Sequence, residues 1–103
     1  LAGARRATAG FTACLDVSGP GDGLLARCVI PYSSPFINDI SGSWDFYSGT
    51  VDGQLTGALD HISRDQYIGA VLGLTQTYLR VPALRPEAGA LIARIVAFLD
   101  AHD

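Results

Sequence analysis

The stretch "DHISRDQYIGAVLGL", residues 60–74, contains the clearest helix start in the chain. Ser63 suits the N-cap position, and Gln66 follows at the spacing of a capping box. Ile62 before the cap and Tyr67 at the fourth helical position fit a hydrophobic staple. The stretch therefore predicts a helix that begins directly after Ser63, with charged and aromatic side chains gathered at its start.

The residues that follow predict two helices joined by a short turn. Pro82 is expected to end the first helix, and Pro86 fits the first position of the second. Glu87 there suits the positive end of the helix dipole. We therefore predict a C-terminal antiparallel helical hairpin. Its two apolar stripes consist of Ile68, Val71, Leu72, Thr75 and Leu79, and of Ala88, Leu91, Ile92, Ile95, Val96 and Leu99.

Gly69 and Gly73 lie four residues apart inside the first of these helices. Glycine lowers helix propensity, so we expect a packing reason for the pair. The favoured explanation is that another helix approaches this face closely, because glycine carries no side chain. Direct approach of a ligand to the same backbone is the alternative.

The first sixty residues give weaker patterns. Residues 1–16 are Ala-rich with apolar residues at helical spacing, which predicts an N-terminal helix. Residues 24–31 fit either a strand or an extension of a helix. Residues 31–61 are rich in Gly, Pro and aromatic side chains and predict a long aromatic loop, with room for short strands around "WDFYSGTVDGQLTG". The predicted fold is therefore mainly α, in a single small domain spanning residues 1–103.

Composition and charge restrict the function. The chain has 103 residues, of which 49% are hydrophobic and 17% charged, as expected of a folded globular domain. Its net charge is −3, and no basic stripe is present, so a nucleic-acid partner is not expected. No apolar run approaches the ~20 residues that a membrane span needs. No phosphate-binding loop, nucleophile elbow or metal motif is present, so neither a cofactor nor a metal is predicted.

The chain ends and the cysteines leave alternatives open. Leu1 is not an initiator Met, and the sequence contains no basic-then-apolar signal peptide, so we expect a processed product or part of something longer. Cys14 and Cys28 are the only two cysteines. They either pair in an oxidising compartment or remain as two buried free thiols.

Acidic and aromatic residues occur together between residues 28 and 63, where the chain has four Asp and neither Arg nor Lys. Carboxylates bind sugar hydroxyls, and aromatic rings stack on apolar sugar faces, so this composition favours sugar recognition. Asp52-Gly53 is better explained as a turn. Asp45 lies between two aromatic residues, and a turn explains it less well.

The start of the helix predicted after Ser63 contains the remaining candidate site residues. Asp65 in the first turn either stabilises the helix dipole or acts as an acid or base at a cleft. His61 is a lone histidine, and such a residue is more often a surface residue than a catalytic one. For Tyr67, the alternative to a catalytic role is the hydrophobic staple. The candidate catalytic residues are Asp65 and Tyr67, and the candidate substrate-binding residues are Arg64, Trp44, Asp45 and His61.

The segment "ISRDQYIGAVLGLTQTYL", preceded by "GSWDFYSGTVDG", resembles a group of bacterial, often secreted proteins in which an SRDQY-like segment opens a helix. These proteins are similar to (α/α) toroids, the helical-hairpin architecture of many glycoside hydrolases, polysaccharide lyases and sugar epimerases. The resemblance covers roughly residues 24–102. It implies a carbohydrate-active or glycan-binding unit, secreted or periplasmic, with the site at the helix ends.

The predicted helices are too few to close a toroid. The resemblance therefore implies that the chain is a piece of one, or that it assembles with copies of itself or with partners. The alternative function is a non-catalytic structural or interaction domain that docks another chain through the helical hairpin. It is favoured by the shortness of the chain, which leaves little material to cover two apolar helices.

Overall fold

The computed structural model describes residues 2–19 and 23–102. Within these residues the chain forms four α-helices, one 3₁₀ turn and a three-stranded antiparallel sheet. The architecture is therefore mixed α/β. In chain order the elements are α1 (Ala2–Asp16), β1 (Cys28–Pro31), α2 (Asn38–Ser41), β2 (Phe46–Val51), β3 (Gln54–Leu59), α3 (Arg64–Arg80), the 3₁₀ turn (Pro82–Leu84) and α4 (Arg85–Ala101).

The prediction of a mainly α fold, as a piece of an (α/α) toroid, is wrong. The error lies in residues 31–61: the short strands allowed for around "WDFYSGTVDGQLTG" form a complete β-hairpin, and a short helix occupies part of the predicted loop. Strands β2 and β3 are joined by Asp52 and Gly53, whose φ angles are 50° and 78°. Two positive φ angles in a two-residue connection favour the tight hairpin geometry that suits twisted strands. The Asp-Gly turn thus joins the two strands of the hairpin.

The sheet has the strand order β1-β3-β2, so β3 lies in the centre and pairs antiparallel with both neighbours. Cys28 pairs with Leu59 in β1·β3, and Phe46 pairs with the same Leu59 in β2·β3. The second half of β3 is buried, as its central position requires. Of the two interpretations of residues 24–31, the strand is correct from Cys28 onward.

The start of α3 confirms the predicted capping box. The Ser63 hydroxyl accepts from the backbone N–H of Gln66 at 3.1 Å, and the Gln66 side chain accepts from the backbone N–H of Ser63 at 2.7 Å. Ile62 packs against the hydrophobic cluster that contains Tyr67, as a staple requires. The helix ends at Arg80, before Pro82.

The main core lies where α1, α3 and α4 meet. Leu15, Leu74 and Ile95, one from each helix, are the largest fully buried side chains. A smaller cluster of Val17, Ala26 and Ala58 joins the sheet to the end of α1. The predicted N-terminal helix is thereby confirmed over residues 2–16, and Leu1 lies outside the described residues. None of the helices in the described ranges is long and apolar enough to cross a membrane.

The predicted close packing at Gly69 and Gly73 is wrong for this chain. A Cβ added at either position would meet no atom within 4 Å. Close approach occurs instead at Gly49, where a Cβ would overlap the backbone carbonyl of Val17. The pair in α3 therefore faces open space, and α4 packs on a different face of the helix.

Candidate functional site

The most exposed large hydrophobic side chain described is Trp44, at 82% of its full accessibility. Its ring meets the ring of His61 edge-on, with 5.2 Å between centroids. Both residues border a pocket of about 360 Å³, which we call the Trp44–His61 pocket. Its lining consists of Leu24, Trp44, Asp60, His61, Ile62, Tyr67 and Phe98.

The hairpin register explains why Trp44 and His61 are neighbours. Phe46 pairs with Leu59 at the open end of the hairpin. The pairing continues one step further, because the backbone N–H of Asp60 donates to the carbonyl of Asp45 at 3.1 Å. The next residues outward on the two strands are Trp44 and His61. An antiparallel ladder thus places two residues 17 positions apart side by side.

Asp45 follows Trp44 in the chain, and its side chain is buried. It accepts hydrogen bonds from the Ser43 hydroxyl, from the backbone N–H of His61 at 3.1 Å and from the Arg27 guanidinium at 3.3 Å. Its side chain is only 2% exposed. The Ser43 hydrogen bond is the largest cause that lowers the pKa of Asp45; burial acts in the opposite direction, and the His61 N–H and the Arg27 charge lower it further. The carboxylate therefore fixes the two strand ends that carry Trp44 and His61.

Tyr67 forms part of the floor of the pocket. It is 8% exposed, and its hydroxyl oxygen accepts a hydrogen bond from the backbone N–H of Leu25 at 2.9 Å. Its ring belongs to the main core and also borders a second concavity on the other side, between α3 and α4. Tyr67 was predicted as a catalytic residue, and the contacts described here give it a structural role.

Arg64 and Asp65, at the start of α3, lie apart from the pocket. Both are exposed, and neither is among the residues that line the Trp44–His61 pocket in the described part of the chain. Arg64 borders the concavity between α3 and α4 instead. Of the six predicted site residues, the structure therefore brings Trp44, His61 and Tyr67 together around one pocket.

Asp60 is the site residue that the sequence interpretation missed. It is exposed and lines the pocket beside His61. The missing information was the hairpin register: once β2 and β3 are paired, the residues flanking the strands must come together. The "DG" turn dipeptide in the sequence was the signal from which this register could have been obtained.

The second concavity, which we call the α3–α4 groove, has a volume of about 480 Å³. Its walls are apolar except for Arg64. Several of its side chains are about half exposed, which is unusual for large aliphatic residues that lie in one continuous surface. The groove is lined by Arg64, Tyr67, Ile68, Val71, Leu72, Val96 and Leu99.

Across residues 2–19 and 23–102 no three or more His, Cys, Asp or Glu side chains come together as metal ligands would. Cys14 and Cys28 are both half-buried and are not joined by a disulfide in this structure. Burial, and then the proximity of Cys28, raise the pKa of the Cys14 thiol. A raised pKa lowers the thiolate fraction of Cys14 at neutral pH.

No protein-family model matches the sequence, and no match of significance is found among curated proteins or among solved structures. The resemblance to carbohydrate-active proteins therefore stays a prediction.

Proposed function

We propose that this chain is a glycan-binding unit and that the Trp44–His61 pocket is its binding site. The observation that carries the proposal is the 82% exposure of Trp44 at the rim of a pocket. An indole face held in this position offers a stacking platform for the apolar face of a sugar ring. Single exposed hydrophobic residues are common on protein surfaces, so the surroundings of Trp44 decide its significance.

Those surroundings are polar in the way that a sugar requires. The exposed Asp60 carboxylate accepts hydrogen bonds from hydroxyl groups, and the His61 imidazole both donates and accepts. Both residues line the pocket beside Trp44. A stacking face with hydrogen-bonding groups next to it matches the two kinds of surface that a pyranose presents.

Binding without catalysis is the form of the proposal that the geometry supports. Most glycoside hydrolases use two carboxyl groups that face the same bond, roughly 5–9.5 Å apart. Here the Asp45 carboxylate is buried and held by three donors, while Asp65 is exposed outside the lining of the pocket. Only Asp60 presents a carboxylate to the pocket among the residues that line it. Catalytic roles for Asp65 and Tyr67 remain predictions.

The test is a binding screen of the full chain against neutral and acidic oligosaccharides, followed by calorimetry on any ligand found. Trp44→Ala should weaken binding about tenfold, since a lost stacking contact is worth up to ~1.5 kcal/mol. Phe36→Ala is the matched control, because Phe36 is also an exposed aromatic residue, at 63%, but does not line the pocket. Asp60→Asn should weaken binding without unfolding the chain.

Two results would overturn the proposal. The first is a parent chain that binds none of the oligosaccharides. The second is a ligand whose affinity is equally affected by Trp44→Ala and by Phe36→Ala, which would place the binding surface elsewhere.

A further inference from the structure

The Trp44–His61 pocket presents a negative formal charge. Asp60 is the only carboxylate among the described residues that line the pocket, and neither an Arg nor a Lys is among them. Asp60 is exposed, and within residues 2–19 and 23–102 its carboxylate forms neither an ion pair nor a hydrogen bond. The carboxylate is therefore available to a ligand in the pocket.

The positive charge of Arg27, close to the pocket, is already paired. Its guanidinium lies 3.3 Å from the Asp45 carboxylate, and the same carboxylate oxygen accepts from the backbone N–H of His61 at 3.1 Å. The Asp45 side chain is buried, and Arg27 lines a different concavity. An imidazole is mostly uncharged at pH 7. The charge that a ligand meets in the pocket is therefore that of Asp60.

Trp44 adds a second surface that attracts a cation. The face of an aromatic ring is electron-rich, and indole is the best of the three aromatic side chains at binding a positive charge. Trp44 is 82% exposed, so a face of its ring is open to a ligand. The cation–π contact described in this chain is that of Arg85 with Tyr78, and no cation of residues 2–19 and 23–102 covers Trp44.

We propose that the Trp44–His61 pocket selects glycans that carry a free, protonated amine, that is, unacetylated amino sugars. This inference rests on the glycan-binding function proposed above and names the class of glycan. The ammonium group binds the Asp60 carboxylate, and the apolar face of the sugar ring stacks on Trp44. At pH 7 such an amine is mostly protonated. Acetylation removes its charge, and a uronic acid would bring a second carboxylate next to Asp60.

The test is a fluorescence titration of the full chain at pH 7. Trp44 is the only tryptophan in the sequence, so its emission reports a ligand at the pocket directly. The ligands are the β-1,4-linked disaccharides of glucosamine, of N-acetylglucosamine and of glucose, which differ only in the substituent at C2. The glucosamine disaccharide should bind about tenfold more tightly than the other two, because a charge-assisted hydrogen bond is roughly twice as strong as a neutral one.

Asp60→Asn tests the charge itself, because the amide keeps the size of the side chain and still accepts hydrogen bonds. It should remove most of the preference for the glucosamine disaccharide and change the affinity for the two neutral disaccharides much less. Asp39→Asn is the matched control, since Asp39 is an exposed Asp on α2 that does not line the pocket, and its replacement changes the net charge equally. Circular dichroism of each variant would verify that the fold is kept.

Propylamine, which carries an amine without a sugar ring, should bind at least about tenfold more weakly than the glucosamine disaccharide, because it lacks the face that stacks on Trp44. Comparable binding of the two would show that the amine alone is recognised, and it would overturn the inference.

The remaining outcomes separate the inference from the function on which it rests. Equal affinities for the glucosamine and glucose disaccharides would overturn the choice of amino sugars and leave glycan binding intact. A preference for glucosamine that survives Asp60→Asn, or that Asp39→Asn reduces equally, would overturn the role of Asp60 in the same way. If no disaccharide binds, glycan binding fails, and the inference fails with it.

Discussion

The hydroxyl oxygen of Tyr67 accepts a hydrogen bond from the backbone N–H of Leu25, a residue 42 positions earlier in the chain, at 2.9 Å. The bond is buried, and it ties the first turn of α3 to the segment that leads into β1. A buried N–H without an acceptor is costly, so this contact restrains both elements. It also connects the floor of the Trp44–His61 pocket with the main core.

Tyr67→Phe should therefore lower the free energy of unfolding by about 1–3 kcal/mol, since the Leu25 N–H loses its acceptor while remaining buried. Chemical denaturation of the purified variant measures this. Tyr32→Phe is the control, because the Tyr32 hydroxyl also forms a hydrogen bond, with Ser48 at 2.6 Å, but in an exposed position. Equal effects of the two substitutions would contradict a special role for the buried bond.

Asp45 should make stability dependent on acid pH. Its pKa is lower in the folded chain than its ordinary value of 3.8, so the folded state binds fewer protons than the unfolded state near that pH. The stabilisation by ionised Asp45 is therefore fully present above 3.8 and is lost as the pH falls through the lower folded pKa.

Asp45→Asn should accordingly be less stable than the parent at neutral pH, and the difference should shrink at pH values well below 3.8. Urea denaturation over a pH series measures it. Ser43→Ala should reduce the same pH dependence in part, because the Ser43 hydroxyl is the largest cause of the lowered pKa. A difference between parent and Asp45→Asn that is constant with pH would show that the charge does not matter.

Gly69→Ala and Gly73→Ala should each stabilise the chain, by about 0.5–1 kcal/mol, because both positions are exposed within a helix and have free space for a methyl group. Gly49→Ala should destabilise it, since its Cβ would overlap the carbonyl of Val17. Thermal or chemical denaturation would rank the three variants. If Gly69→Ala or Gly73→Ala were destabilising in the isolated chain, the packing of α3 would differ from that described.

Local interactions were predictable from the sequence. The capping box of Ser63 and Gln66 spans a single turn of helix, so the identity of the two residues suffices to predict it. The end of α3 before Pro82 is predictable for the same reason, because a prolyl ring prevents continuation of the helix.

Contacts between distant residues were not predictable in the same way. The pairing of β1 with β3 joins segments about thirty residues apart, and a four-residue strand carries too little pattern to identify it. Asp45 was correctly singled out as more than a turn residue. Its partners Arg27 and His61, however, depend on the sheet register, and the short strands allowed for within residues 31–61 were not given a register. Trp44 was selected for its chemistry, whereas its exposure could only come from the structure.

The strand order also determines which strands lie at the edges of the sheet, where a strand of another chain could pair. Outer strands offer unpaired backbone groups, through which chains join into extended aggregates. Here β1 is only four residues long and ends in Pro31, which has no N–H to donate. On the other side, the carbonyl of Val17 lies against Gly49 of β2. Both edges are thus poor templates for fibril formation, although the exposed apolar surface of α3 and α4 is unprotected.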